Sequence, residues 1–301
     1  MKDFHIYIFA FDSLAYNILK NLDLRAATII SLKEFENEKL LGVKPSRTKA
    51  EYCWTSTSSA ISYVIENYKV PSCTYLDADL FFYGSPGILL GELKNGKNVL
   101  ITQHRFSDSA RIFEQRRAGR FCVQFITFAN QGDSLKVLDK WKNQCIDWCY
   151  AKYEDGKFGD QKYLENWPEE YPNVHILEHP GGGIAPWNAR RFQFVVENGK
   201  IYGIKPGSEK MFEIVFFHFH YVRIRKSGFA DLGWNRLTKS IIDLFYKPYI
   251  KSIIEKEEYL EGRFPEYKRA VFDEKPDGIK EKIKSYFKRL TCFNIIKIPT
   301  D

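Results

Sequence analysis

The chain has 301 residues, of which 45 are basic and 38 acidic, and its formal net charge is +7. This length predicts one large domain with an appendage, and a content of 44% hydrophobic and 28% charged residues excludes a disordered or fibrous chain. The charge excess is moderate. It suits a phosphorylated ligand or an anionic membrane surface, and we expect no nucleic-acid partner.

The cysteines and the apolar runs indicate the compartment. The six cysteines form no CxxC pair, which is typical of a reducing environment, and Cys145 and Cys149 lie in an apolar helical pattern that places them in the core. The apolar segment at 4–11 is too short to span a bilayer, and no run approaches the roughly 18 uncharged apolar residues of a spanning helix. We therefore expect a cytoplasmic protein, which can also lie on the inner face of the membrane without crossing it.

Apolar runs and helical spacing alternate along the first half of the chain. Strands are predicted at 4–11, 26–31, 98–103 and 120–130, and a strand with a turn at 73–83. Helices are predicted at 13–20 (capped by Asp12-Ser13), 47–68 and 135–148. This alternation predicts an α/β fold with a mostly parallel sheet flanked by helices. After residue 231 the strand pattern ends and helical spacing begins, so we predict a main domain at 1–230 and a helical C-terminal extension at 231–301.

The clearest chemical signal is a pair of carboxylates in the segment Tyr75-Leu76-Asp77-Ala78-Asp79. Residues two apart in an extended segment project to the same side, so Asp77 and Asp79 converge where an apolar strand ends. Two carboxylates this close repel each other unless a cation lies between them, which indicates a divalent metal with free coordination positions for a substrate diphosphate. The alternative is that the two residues only form a turn after the strand.

Two further segments carry polar side chains in informative positions. His218 and His220 lie on one face of the segment 216–220, and His218 at the end of a strand suits a third ligand for manganese; the alternative is a histidine of the core. No HExxH pattern is present, which argues against a zinc hydrolase. In the segment 159–164, Asp160 either caps a short helix that ends near Trp167 or, together with Gln161, faces a polar ligand.

These three segments, YLDAD (75–79), GDQKYL (159–164) and FFHFH (216–220), resemble in their order the D-x-D, D-Q and C-terminal histidine motifs of GT-A glycosyltransferases. The nearest resemblance is to the retaining family-8 group, which includes bacterial lipopolysaccharide galactosyl- and glucosyltransferases and glycogenin. It spans residues 4–225. It implies a Rossmann-like nucleotide-sugar-binding GT-A fold in the 1–230 domain, and a hexosyltransferase that depends on Mn²⁺ or Mg²⁺. A nucleotide-diphosphate sugar, by this likeness a UDP-sugar, would be the donor, and a glycan or lipid-linked glycan of cell-surface polysaccharide or lipopolysaccharide synthesis would be the acceptor, with retention.

The resemblance also implies roles for individual residues. Asp77, Asp79 and His218 would bind the metal, Asp160 would bind hydroxyl groups of the donor sugar, and Gln161 would lie on the reacting face of the anomeric carbon. The nucleotide base would lie beside Asp12, and basic residues would contact the diphosphate, in part replacing a Lys or Arg that the family has in the helix before D-x-D. The candidate donor contacts are Ala10, Phe11, Asp12, Arg47, Lys49, Arg223 and Arg225.

Acceptor contacts are expected in three places. The first is the segment 121–124, which reads Phe-Cys-Val-Gln here where the family has Phe-Asn-x-Gly. The second is the loop after Gly181–Gly183, for which the alternative is a surface loop without a binding role. The third is the basic segment 104–120, which is either a solvated face or a binding site for an anionic acceptor. The candidate residues are Arg105, Arg111, Cys122, Gln124, Trp187 and Asn188.

Two other functions and a membrane contact remain open from the sequence. A sugar-phosphate nucleotidyltransferase would have a glycine-rich basic segment after the first strand, and FAFDSLAY (9–16) has no glycine. The other alternative is a glycosyltransferase-like module that only binds glycan or membrane.

The C-terminal segment 279–297 has six basic side chains and one acidic side chain, with Ile279, Ile283, Phe287 and Leu290 on one helical stripe. We expect a helix that lies on an anionic membrane, or else a closing helix packed on the main domain.

Overall fold

The computed structural model describes residues 4–272 and 279–298 of the chain. The chain divides into two compact units, one formed by residues 1–78 and 84–183 and the other by residues 79–83 and 184–301. The boundary predicted near residue 230 lies inside the second unit.

The secondary structure is mixed α/β. The strands are β1 Ile6–Ala10, β2 Ala27–Ser31, β3 Ser72–Leu76, β4 Leu80–Phe82, β5 Val99–Gln103, β6 Phe121–Ala129, β7 Val174–Ile176, β8 Gln193–Glu197, β9 Lys200–Ile204, β10 Met211–Glu213, β11 Phe216–His218, β12 Arg223–Ile224, β13 Phe229–Asp231 and β14 Ile295–Lys297. The helices are α1 Ser13–Asn21, α2 Leu32–Phe35, α3 Glu38–Val43, α4 Lys49–Tyr68, α5 Gly87–Leu90, α6 Asp108–Ala118, α7 Gly132–Asp147, α8 Trp167–Glu170, α9 Lys239–Ile241, α10 Lys247–Arg263 and α11 Ile279–Leu290.

Polar side chains determine where two helices of the first unit begin. Asp12 precedes α1, and its carboxylate accepts a hydrogen bond from the N–H of Ala15 at 2.7 Å, as the sequence predicted. Thr48 and Glu51 form a reciprocal capping box at the start of α4, which stabilises this helix by about 1 kcal/mol. The predicted helices at 13–20 and 47–68 are therefore confirmed as α1 and α4.

In the part of the first unit that the structure describes, the strands form one parallel pair and one mixed sheet. β1 pairs with β2 in parallel, and the four-stranded sheet has the order β3-β6-β5-β7. In that sheet β6 is antiparallel to both β3 and β5, and only β5 and β7 are parallel. The predicted mostly parallel sheet is therefore not observed. Alternation of strands and helices does not determine the direction in which each strand enters a sheet.

The core of the first unit lies between the mixed sheet and its helices. The indole of Trp141 on α7 is fully buried against Phe128 of β6 and Trp167 of α8, with ring centroids 6.1 Å and 5.6 Å away. Cys145 and Cys149 are fully buried as predicted. Rings of this size bury much apolar surface, so this cluster fixes α7 and the chain around Asp160 against the sheet.

Within its described residues, the second unit contains three small antiparallel sheets, β10-β9-β8, β11-β4 and β12-β13-β14. Its core is aromatic: a π-helical turn at Ile242–Tyr246 directs Phe245 and Tyr246 onto Phe217, with ring centroids at 4.7 Å and 5.6 Å. The expected end of strand structure after residue 231 was wrong, since β14 pairs with β13. A three-residue strand is too short to show a period of two in the sequence.

Within the described ranges 4–272 and 279–298, no helix is both long and apolar enough to cross a lipid bilayer.

Candidate metal centre

Asp77 is the first residue after β3, and neighbouring groups fix its position. Its backbone N–H donates to the carbonyl of Gln124 in β6 at 3.1 Å, which continues the pairing of β3 with β6 beyond the end of the strand. The hydroxyl of Tyr75, two residues earlier on the same side of the strand, donates to the carboxylate of Asp77 at 3.0 Å. The carboxylate is therefore oriented before any ligand binds.

Asp160 lies in the same part of the first unit and is 5% exposed. Its carbonyl accepts a hydrogen bond from the indole N–H of Trp141 at 2.9 Å, which connects this segment to the core. Burial, and next the negative charge of Asp77, raise the pKa of Asp160 to about 8, although hydrogen bonds from backbone N–H groups and Thr57 act in the opposite direction. The side chain therefore carries a proton at pH 7.

Asp79 and His218 come together in the second unit because β4 and β11 pair. His218 is opposite Leu80 in the register, and the N–H of Phe219 donates to the carbonyl of Asp79 at 2.9 Å. These backbone bonds place the imidazole Nε2 of His218 at 3.0 Å from a carboxylate oxygen of Asp79. The ring of His218 is 4% exposed and packs edge-on against Trp187 at 5.2 Å.

The electrostatics of Asp79 favour its charged form. Burial alone would raise the pKa of this carboxyl group, but the hydrogen bond from His218 and the charges of His218 and His220 outweigh it and hold the pKa below the usual value. Asp79 is therefore ionised at neutral pH, as a metal ligand must be.

One potential ligand atom from each of Asp77, Asp79 and His218 lies within 4.8 Å of the others. Two ligands on opposite sides of one ion, with bonds of about 2.1–2.4 Å, stand roughly 4.2–4.8 Å apart, so the observed spacing suits a single divalent cation. Two carboxylates with one imidazole are a donor set for Mn²⁺ or Mg²⁺ rather than for a thiolate-preferring metal. The predicted three-residue cluster is thus present, and it could hold a metal ion.

Gln161 follows Asp160 at the start of the 3₁₀ helix Gln161–Asn166. Its side-chain amide donates to the carbonyl of Ala118 at 2.6 Å, which fixes the amide plane. The predicted cap is only partly observed, because Asp160 stands at the N-cap position and its side chain makes no capping hydrogen bond.

Among the predicted donor contacts at the start of the chain, Asp12 uses a carboxylate oxygen to cap α1. Phe11 makes an edge-to-face contact with Tyr52 at 6.2 Å, and Ala10 is buried at the end of β1. Ala10, Phe11 and Asp12 thus lie one after the other at the C-terminal end of β1, which is paired in parallel with β2.

Two of the four predicted basic residues form polar contacts with other parts of the protein. Arg47 stacks on Tyr150, with its guanidinium carbon 3.9 Å from the ring centroid, and donates to the carbonyl of Ile146. Arg225 forms an ion pair with Asp231 at 2.5 Å. The other two differ: Lys49 is exposed at the start of α4, and the guanidinium of Arg223 lies over the rings of Tyr221 and Phe272 at 4.4 Å and 5.0 Å.

Arg105 has a structural environment. Its backbone is in the left-handed region with φ 50°, and its guanidinium donates to four backbone carbonyls within the segment 177–182. It therefore holds this segment against β5. The side chain of Arg111, in α6, lies outside the described part of the chain.

The remaining acceptor candidates are mostly buried. Cys122 and Gln124 are interior residues of β6. Asn188 is buried and its side chain accepts from the N–H of Ala185 at 3.0 Å, which closes the loop that carries Trp187. Trp187 is the candidate with a described contact to the metal centre, through the ring of His218.

Two residues next to the carboxylates, Tyr75 and Thr57, were not predicted from the sequence. The hydroxyl of Tyr75 donates directly to Asp77. Thr57 on α4 donates its own hydroxyl to the carbonyl of Cys53, and it acts against burial by lowering the pKa of both Tyr75 and Asp160. A signal was available. The segment Thr55–Ser59 is a run of hydroxyl residues inside a helix, all of them buried, which indicates polar packing on that face.

Two proteins of Bacillus subtilis (strain 168) are similar to this chain over most of its length. The uncharacterized protein YfnD is 27% identical over 270 residues, which cover 88% of this chain and 84% of YfnD. The uncharacterized protein YfnF is 31% identical over 229 residues, which cover 74% of each protein. The chain belongs to the YfnF family. No family model matches it, and the description of YfnF names no reaction, so a function can be inferred only from the candidate metal centre.

Proposed function

We propose that the protein is a metal-dependent glycosyltransferase that moves a hexose from a nucleoside-diphosphate sugar, a UDP-sugar in the first instance, to a glycan or lipid-linked glycan acceptor with retention. The observation that carries this proposal is the cluster of Asp77, Asp79 and His218, with a ligand atom from each within 4.8 Å of the others. A diphosphate leaving group suits such a site, because its negative charge grows as the glycosidic bond breaks and a bound divalent cation would stabilise that charge.

The side chains that would bind the metal are oriented by the protein before any ligand binds. The hydroxyl of Tyr75 orients the carboxylate of Asp77, and pairing of β4 with β11 sets Asp79 against His218. When bound, Mn²⁺ or Mg²⁺ supplies Lewis-acid stabilisation of the leaving diphosphate. Because these side chains are already oriented by backbone pairing, binding requires little rearrangement, and such preorganisation is the main source of electrostatic catalysis.

Asp160 and Gln161 are the polar groups that we assign to the sugar. A protonated Asp160 can both donate to and accept from a sugar hydroxyl, whereas an ionised carboxylate could only accept. The amide plane of Gln161 is fixed by its bond to Ala118, which suits a residue that acts on one face of the anomeric carbon. The parallel pair of β1 and β2, with α1 following Asp12, supports a nucleotide-binding element of the GT-A type.

A donor panel tests the proposal. The purified protein is incubated with UDP-, GDP- and ADP-sugars in Mn²⁺, and release of nucleoside diphosphate is measured with and without a chelator. We expect hydrolysis or transfer with one class of donor, lost on chelation and reduced by at least about a hundredfold in Asp79→Asn. The matched control is Asp133→Asn, an exposed aspartate at the start of α7, which should keep full activity.

Two results would refute the proposal: no turnover of any sugar nucleotide by a protein shown to bind Mn²⁺, or turnover that is unchanged in Asp79→Asn. The first would favour the alternative of a non-catalytic binding module.

A further inference from the structure

The helix α11 contacts the rest of the second unit through the side that carries Lys288. Lys288 is 2% exposed, and its ammonium group forms an ion pair with Asp231 of β13, which also binds Arg225. The same ammonium group lies 4.4 Å from the ring centroid of Trp234. A buried ion pair of this kind fixes the rotation of a helix about its own axis, because removing either partner leaves an uncompensated charge.

The opposite side of α11 is apolar and points away from the protein. At about 100° per residue, Lys288 lies about 160° from the centre of a stripe of large apolar side chains that spans about 100°. The members of this stripe are Ile279, Ile283, Tyr286, Phe287 and Leu290, and they are 77%, 52%, 62%, 60% and 63% exposed. We call these five residues the α11 stripe. An amphipathic helix packed on a protein usually buries its apolar side. Here the side with Lys288 faces the protein and the apolar side is exposed.

Lysines border the α11 stripe on both sides. Lys280 and Lys282 are exposed, and each lies about 80° from the centre of the stripe, in opposite directions around the helix. Over Ile279–Leu290 the sequence contains five basic residues and one acidic residue. An apolar stripe between two rows of lysines is the arrangement of a helix that lies in the plane of a bilayer, with its apolar side among the acyl chains and its ammonium groups among anionic headgroups.

A second copy of the chain is a poorer partner for the same surface. The helix is about 18 Å long and presents roughly 200 Å² on one face, whereas a stable dimer buries about 800 Å² on each partner. A two-fold dimer would also oppose the bordering lysines of one copy to those of the other. Both the area and the charge therefore favour a lipid surface.

We propose that the α11 stripe is a membrane-docking surface, which inserts into the interface of a bilayer that contains anionic lipid. The test is co-sedimentation of the full chain with vesicles of phosphatidylcholine alone and of phosphatidylcholine with phosphatidylglycerol in equal parts. The wild-type protein should pellet with the anionic vesicles, and less as salt is added, because the headgroup attraction is screened. It should pellet little with phosphatidylcholine alone.

Two sets of variants localise the surface. Ile283→Ser with Phe287→Ser should weaken binding to the anionic vesicles by at least about tenfold, since it removes the most apolar part of the stripe. Lys280→Gln with Lys282→Gln should weaken it several-fold and reduce the effect of salt. The control is Phe113→Ser, which removes an aromatic side chain that is 79% exposed on α6, outside the α11 stripe, and should leave binding unchanged.

Three outcomes would overturn the proposal. In the first, the wild-type protein does not pellet with anionic vesicles at low salt. In the second, both sets of variants bind the anionic vesicles as well as the wild-type protein does. In the third, sedimentation velocity shows a dimer that Ile283→Ser with Phe287→Ser dissociates, while vesicles bind nothing; the stripe is then an interface between copies. The substituted side chains are exposed, so folding is expected to be retained.

Discussion

Asp160→Asn should stabilise the metal-free protein at neutral pH. The pKa of this buried carboxyl group is about 8 in the folded chain against 3.8 for an unperturbed aspartate. In the unfolded chain the group is ionised at pH 7, so folding must take up a proton, which costs on the order of 4 kcal/mol. Asparagine resembles the protonated form in shape and needs no proton, so the variant avoids this cost.

The sign of the effect gives a second test. Because the folded-state pKa is raised, the stability contributed by protonated Asp160 is complete below about pH 3.8 and is lost progressively as pH rises towards 8. Relative to Asp160→Asn, the wild-type free energy of unfolding should fall by about 1.4 kcal/mol for each pH unit between pH 5 and pH 7.

The assay is urea unfolding of wild type and Asp160→Asn at pH 5, 6 and 7 in the presence of a chelator. The control is Asp155→Asn, an exposed aspartate in a left-handed turn position that asparagine also tolerates. A difference between wild type and Asp160→Asn that does not change with pH would refute the reasoning, since it would mean that Asp160 is ionised in the folded protein.

Two further predictions concern Gln161, for which we propose a catalytic role, and Glu92, which has a structural role. Gln161→Ala should lower kcat by at least about tenfold with little change in KM for the donor, because a group on the reacting face acts mainly in the transition state; steady-state kinetics that show a raised KM with normal kcat would make it an ordinary donor contact. Glu92→Gln should destabilise the protein by about 1–3 kcal/mol at pH 7, since the carboxylate accepts from the N–H groups of Glu178 and His179 and from His175. Burial alone would raise the pKa of Glu92, but these bonds hold it below 4.5, so the difference should disappear in urea unfolding as pH falls through that lowered pKa. An equal difference at pH 7 and pH 3 would contradict this assignment.

Local features of the fold could be predicted from the sequence. The spacing of apolar residues located α1 and α4, and Asp12 caps α1 as its position before the helix indicated. The D-x-D pattern indicated that both carboxylates approach one point, and the cluster with His218 is observed. Ala78 and Asp79 form a turn, however, and not the extended segment from which the convergence was predicted. The helices and the cap depend on residues close in sequence. The cluster could be predicted because two neighbouring carboxylates and a histidine are typical ligands of one divalent cation.

Features that depend on distant partners were not predictable. The direction of β6 depends on which edges of β3 and β5 it meets, and nothing within 120–130 records this. Arg225 has the charge of a phosphate-binding residue, but it forms an ion pair with Asp231, whose proximity follows only from pairing of β12 with β13. The hydroxyl of Tyr75 becomes informative only once the strand places it over Asp77.

The most direct test of the central claim is a titration of the metal-free protein with Mn²⁺, followed by electron paramagnetic resonance of the free ion. We predict one bound ion in wild type and in Asp133→Asn, and binding at least about tenfold weaker in Asp79→Asn and in His218→Ala, because each loses one of three protein ligands. Binding of Mn²⁺ with wild-type affinity in both of the latter variants would contradict the assignment of Asp77, Asp79 and His218 as a metal centre.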